Sequence, residues 1–100
     1  MSDLAYSKLS LRDFKKILDS IGRDRPIAAI ELVERIQTTC EHLANSPTMG
    51  TARSDLVPGM RAFAVNPFVV YFQPSVRGIV VVRILHGARD PSRVIRTRRR

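Results

Sequence analysis

The residues of this chain best suited to chemistry stand together at the end of its most apolar stretch. From Ile79 to Asp90 the sequence runs I-V-V-V-R-I-L-H-G-A-R-D, a β-branched run broken once by Arg83 and closed by His86, Arg89 and Asp90. Histidine titrates in the neutral range, so His86 could exchange a proton with a substrate. Its competing role at a strand end is structural, as a hydrogen-bonding partner of Asp90. A charge at position 83, among apolar neighbours, must be paired or must face an open groove. It could form an ion pair with a carboxylate such as Asp90, or offer its planar guanidinium to a carboxylate on another molecule. Other chemistries find no footing. Cys40, His42 and His86 lack metal-ligand spacing, no motif surrounds the scattered Ser and His, and no glycine-rich phosphate loop is present. No metal or cofactor is expected.

The charge around this stretch is uneven. The chain carries a formal net charge of +8. Residues 1–60 hold eight Lys/Arg and eight Asp/Glu, whereas residues 61–100 hold nine Arg and only Asp90. Five of those arginines, Arg93, Arg96, Arg98, Arg99 and Arg100, fall in the last ten residues. A local basic surface suits an acidic partner, either nucleic acid or a protein groove. One hundred residues make a single domain able to bury a core without disulfides, and the lone Cys40 cannot form one internally. The N-terminus has no signal-like apolar run, and the longest unbroken apolar run, Phe68–Phe72, is too short to span a bilayer. These features predict a cytoplasmic, soluble protein without a membrane partner.

The elements that must position this strand are legible as periodicities. Leu4–Ser7 is a short first strand. Ser10 reads as the N-cap of a helix, with Asp13 at capping-box spacing. Leu11, Phe14, Ile17, Leu18 and Ile21 form its apolar stripe, and Gly22 its left-handed stop. Pro26 opens a second helix whose stripe is Ile30, Val33, Ile36, Cys40 and Leu43, extended by Ile27 and Ala44. Asn45-Ser46-Pro47 ends it. Thr48–Gly59 reads as a loop. Strands follow at Arg61–Val65 (Phe63 and Val65 on one face, Arg61 and Ala64 near the other), at Phe68–Gln73 and from Ile79, separated by turns at Asn66-Pro67 and Pro74–Gly78. The expectation is an α+β fold of order β-α-α-β-β-β: an N-terminal helical hairpin packed on a small, mainly antiparallel sheet with the Ile79 strand central. Residues 1–90 form the domain, and residues 91–100 a flexible basic tail.

At this point the residues resemble a known family. The helix end "NSPTMG", the "LVPGMRAF" leading into a strand, "VVYF" and above all "VVRILHGARD" are similar to the ParE toxins of the RelE/ParE superfamily, from bacterial type II toxin–antitoxin systems. The resemblance covers about residues 4–90, and its fold is the one derived above. It implies a growth-inhibiting toxin that inhibits DNA gyrase by binding and is neutralised by a cognate ParD-like antitoxin, through which the complex would bind operator DNA. The alternative within the superfamily is a RelE-type ribosome-dependent mRNA endoribonuclease. That chemistry needs groups to deprotonate a 2′-hydroxyl and stabilise phosphate charge. Arg61 and Arg83 on an open sheet face, with His86 as acid or base, would be the candidates. Lys8, Lys15 and Lys16 lie in the helical half, and no tyrosine follows Tyr71, so the binding reading leads. The resemblance further implies an apolar groove rimmed by arginines for the antitoxin. The partner-binding candidates are Leu32, off the main helix stripe, with Arg61, Arg83, His86, Arg89, Asp90, Arg93 and Arg96.

Overall fold

The structure, a computed structural model, describes residues 2–95. Its elements are β1 (Asp3–Tyr6), α1 (Lys8–Gly22), α2 (Pro26–Asn45), β2 (Thr51–Ala52), β3 (Arg61–Val65), β4 (Phe68–Pro74), β5 (Gly78–His86) and a 3-10 turn (Pro91–Arg93). The five strands make one sheet in the order β1-β5-β4-β3-β2. β1 runs parallel to β5, and the other pairs are antiparallel. The α+β fold read from the sequence is the one observed, with β5 paired on both sides. A short β2 sits inside the segment expected to be loop.

β1 can lie against β5 only because position 78 is glycine: a Cβ there would stand 1.7 Å from the Asp3 carbonyl oxygen. Farther along, Tyr71 pairs with Arg83 and Phe72 with Val81, so Val82 is an extra residue in β5. This bulge reverses the alternation of faces. Before it, Ile79 and Val81 join the core beneath the helices; after it, Ile84 does, while Leu85 joins a second cluster on the opposite face. The run is apolar at nearly every position because it feeds two cores.

The helices enter at different angles from those the stripes imply. α1 is capped by Ser7, not Ser10: the Ser10 N–H donates to Ser7 Oγ at 3.0 Å, and Ser7 Oγ donates to the Val82 carbonyl at 2.6 Å. The cap therefore also fastens the helix start to β5. The buried face of α1 is Ser10, Asp13, Phe14 and Ile17, while Leu11 and Leu18 are 53% and 39% exposed. Polar residues take the inward positions because Asp13 bonds to β5. Gly22 is the last helical residue, with Arg23 after it still right-handed, so no left-handed stop is used. A Cβ at Gly22 would make only an ordinary contact with Ala29 Cβ, at 3.6 Å. Ala29, Leu32, Val33, Ile36, Cys40, Leu43 and Ala44 are buried, whereas Ile27 and Ile30 are 71% and 52% exposed.

The other face of the sheet is covered too. Leu56 and Met60 from the loop before β3, with Ile95 from the chain end, pack on Tyr71 and Leu85. The domain thus extends past residue 90, and the expected flexible tail is folded through Ile95, which is 5% exposed.

Candidate functional site

β5 ends where the charged residues gather. The structure pairs Arg83 with Asp13, not with Asp90. Nε donates to Asp13 Oδ2 at 2.8 Å and the terminal nitrogen to Oδ1 at 2.9 Å, while the Ile84 N–H donates to Oδ2 at 2.8 Å. Both side chains are buried. The Asp13 hydrogen bonds raise the pKa of the Arg83 guanidinium against the opposing effect of burial. Past the bulge, Arg83 reaches around the β5 edge to α1. Its two-point carboxylate recognition is the geometry expected of an arginine, but the carboxylate is the protein's own. Arg83 is therefore an internal clamp of helix on strand, not an open contact.

Arg61 is likewise committed. Alternation places it on the side of Phe63 and Val65, not opposite them, and its guanidinium turns back onto the loop before it. Nε donates to the Met49 carbonyl at 3.0 Å, and one terminal nitrogen donates to the carbonyls of Thr48 and Gly50 at 2.7 and 3.0 Å. Gly50 is required at this turn by its positive φ of 83°. Leu32 is 8% exposed and belongs to the helix-side core, so it is no seat for a partner. The off-stripe position it was given reflects the rotation of α2.

His86 is exposed, and its Nδ1 accepts the Ala88 N–H at 3.0 Å. That places the proton of a neutral ring on Nε2, directed away from the turn. Its ring meets Phe68 edge-on at 5.5 Å. The expected His86–Asp90 contact is absent. Asp90 instead caps the 3-10 turn, accepting from the Ser92 N–H at 3.0 Å and the Ser92 hydroxyl at 2.7 Å. Those bonds, with Arg93 and Arg53 nearby, hold its pKa below the ordinary carboxylate value. Arg93 is exposed and lies 3.7 Å from Asp90. Arg96 falls outside the described residues.

Of the predicted residues, the structure brings His86 and Arg89 together on one shallow cleft of about 160 Å³, between α1 and the end of β5. Asp13, Lys16, Ile17 and Ser20 complete its α1 wall, and Phe68, Ile84 and Leu85 its floor. Lys16 and Ser20 were missed because the chain gives no sign that this face of α1 lies beside β5. Asp13 carries a signal, a carboxylate at a helix position otherwise suited to the core, but its spacing from Ser10 equally suits the partner position of a capping box.

Among the described residues, no group of three His, Cys, Asp or Glu could hold a metal, and no helix is long and apolar enough to cross a membrane. Cys40 is fully buried, and burial, partly offset by a hydrogen bond with Tyr6, pushes its thiol up to about 11, far from a reactive thiolate.

Comparison with known proteins agrees with this architecture. The family profile described as ParE toxin of type II toxin–antitoxin system, parDE, matches residues 4–91. The chain is 38% identical over 76 residues to Toxin ParE3 of Caulobacter vibrioides, covering 76% of this chain and 73% of that one. A solved chain of the chromosomal ParDE TA system from P. aeruginosa superposes with a TM-score of 0.73 at 25% identity, covering 86% of this chain and 96% of the other.

Proposed function

The chain belongs to the ParE toxin family of type II toxin–antitoxin systems, and from that premise we propose that it inhibits growth by binding DNA gyrase in the cytoplasm. A cognate ParD-like antitoxin neutralises it and supplies the contacts to operator DNA. The observation that carries binding over RNA cleavage is the internal commitment of the two sheet arginines. Arg83 commits Nε and one terminal nitrogen to Asp13, and Arg61 commits Nε and one terminal nitrogen to three loop carbonyls. An RNA-cleaving site would need such groups aimed at a developing phosphate charge. His86 lines a cleft with Lys16 and Arg89 whose walls include neither Arg61 nor Arg83. The P. aeruginosa structure, described as a ParDE system, supports a ParD-like partner.

The test is a supercoiling assay with purified gyrase. Excess toxin is expected to suppress supercoiling, with relief on adding the antitoxin encoded beside the gene. Full supercoiling at toxin excess would refute gyrase as the target. A transcript-cleavage assay on ribosomes with wild type and His86→Ala covers the ribonuclease reading: cleavage by the wild type that is lost in the variant would replace this proposal.

A further inference from the structure

The cleft between α1 and the end of β5 holds cations that the fold leaves unpaired. Elsewhere the basic side chains are largely engaged within the chain. Arg35, Arg61 and Arg83 donate hydrogen bonds to the protein, while Lys15, Arg53 and Arg77 face carboxylates. Lys16 and Arg89 are exposed, and among the described residues neither side chain has a hydrogen-bond or ion-pair partner. Lys16 comes from α1 and Arg89 from the turn after β5, yet both line the same cleft. His86 lies with them. Its Nδ1 is taken by the Ala88 N–H at 3.0 Å, which leaves Nε2–H to donate outward.

Little in the cleft opposes this charge. Its one acid, Asp13, has its carboxylate on Arg83 and the Ile84 N–H, and the Ser20 hydroxyl donates to the Lys16 carbonyl at 2.8 Å. The acids nearest in sequence to the two cations, Asp19 and Asp90, lie beside Lys15 and Arg93. Two positive groups brought to one depression from separate elements, without a counter-charge, attract an anion.

The size of the cleft limits what that anion is. Its volume of about 160 Å³ is below the roughly 300–1,000 Å³ of pockets that enclose a whole small molecule, so it takes one group of a larger partner. Lysine is a point charge, suited to a tetrahedral phosphate and without the planar fork that matches a carboxylate. Beneath the cations, Phe68, Ile84 and Leu85 give an apolar floor that suits the carbons of a sugar. Among the described residues no Phe or Tyr ring is exposed, so unpaired bases find no platform on which to stack. A duplex, held by its backbone alone, is the form that fits.

We propose that Lys16, Arg89 and the His86 Nε2–H hold a backbone phosphate of a nucleic-acid duplex, giving this chain a sequence-independent DNA contact of its own. The contact requires neither gyrase nor an antitoxin.

Fluorescence anisotropy of the purified chain with two labelled DNA duplexes of unrelated sequence, over a range of NaCl, tests it. The two duplexes are expected to bind alike, with affinity falling linearly on a log–log plot against salt. Lys16→Ala and Arg89→Ala each remove one phosphate contact. Each should flatten that slope by about 0.9 and weaken binding about fivefold to tenfold at about 0.1 M salt, on both sequences. Both side chains are exposed and unpaired, so the melting temperature should not move. Arg77→Ala removes the same charge at the opposite end of β5 and should change affinity by less than about twofold. A wild type that binds neither duplex overturns the proposal. So do losses from the cleft variants no larger than that from Arg77→Ala, which would leave only the overall charge at work. Tighter binding of the single strands than of the duplexes overturns the choice of a duplex. A chain that ignores DNA, but whose complex with antitoxin is weakened by both cleft substitutions, would give the cleft to an acidic protein segment and overturns the proposal as well.

Discussion

The two faces of the sheet are both buried, but by different means. Beneath the helices, Phe14, Ile17, Ile36, Cys40 and Leu43 meet Val70, Phe72, Ile79, Val81 and Ile84, and each helix contributes through a regular repeat. On the opposite face a non-repeating segment does the work: Leu56 and Met60 come from a loop, and Ile95 from the chain end beyond a 3-10 turn. The first core is built by elements whose periodicity announces them. The second is closed by single residues placed by hydrogen bonds, such as Gln73 donating to the Pro58 carbonyl at 2.9 Å and the Arg53 N–H donating to the Met60 carbonyl at 2.7 Å. Burial without periodicity is therefore the mark of the second face.

The largest effect should come from the helix side. Val81 is fully buried there. Val81→Asp places an unpaired charge in the core, at a cost of several kcal/mol against a typical total of about 5–15 kcal/mol, so the domain should not fold. A cooperative melt for this variant would show that the helix-side core is dispensable. Next comes the clamp between α1 and β5. Asp13→Ala leaves Arg83 buried without its partner and removes the acceptor of the Ile84 N–H, which should cost about 3–5 kcal/mol in urea unfolding. Arg61→Ala lies in a more exposed setting and should cost markedly less. Equal losses would erase the distinction between a buried clamp and a surface staple.

The opposite face is tested by Ile95→Ala, expected to cost about 2 kcal/mol by deletion of a buried aliphatic side chain. A silent substitution would mean that the chain end is an ornament and the second core ends at the loop.

What the sequence disclosed follows the same division. Apart from the short β2, the elements and the antiparallel run from β3 to β5 were readable, the helices because their repeats follow from burial on one side and β5 because it is apolar on both. The rotation of each helix was not readable. Residues 27, 30, 33 and 29, 32, 36 are both acceptable stripes, and only the packing of α2 on the sheet chooses between them. The partner of Arg83 was hidden for a related reason. Asp90 lies close in sequence, but Asp13, seventy positions away, is brought opposite by α1 packing over β5. The bulge at Val82 also moved Arg83 to a face that simple alternation would not assign. Within the candidate site, His86 and Arg89 were legible as a cluster, whereas Lys16 and Ser20 needed the fold.

The smallest effect concerns how the second face is fastened at its end, and it is a matter of pH. Asp90 caps the turn that delivers Val94 and Ile95 to their cluster, and it does so as a carboxylate accepting from Ser92. Its folded pKa is lowered, chiefly by those hydrogen bonds. A depressed carboxylate pKa adds stability at pH above the ordinary value of about 3.9, and that contribution disappears as pH falls through the lower folded value. The turn should therefore loosen only in acid, before the helix-side core responds. Following the Asp90 carboxyl carbon and the Val94 and Ile95 methyl signals by NMR should give one shared midpoint below about 3.9, and Asp90→Asn should remove the pH dependence from those methyls. Methyl signals that instead move with the helix-side core at every pH would join the two faces into one cooperative unit and abolish the contrast between them.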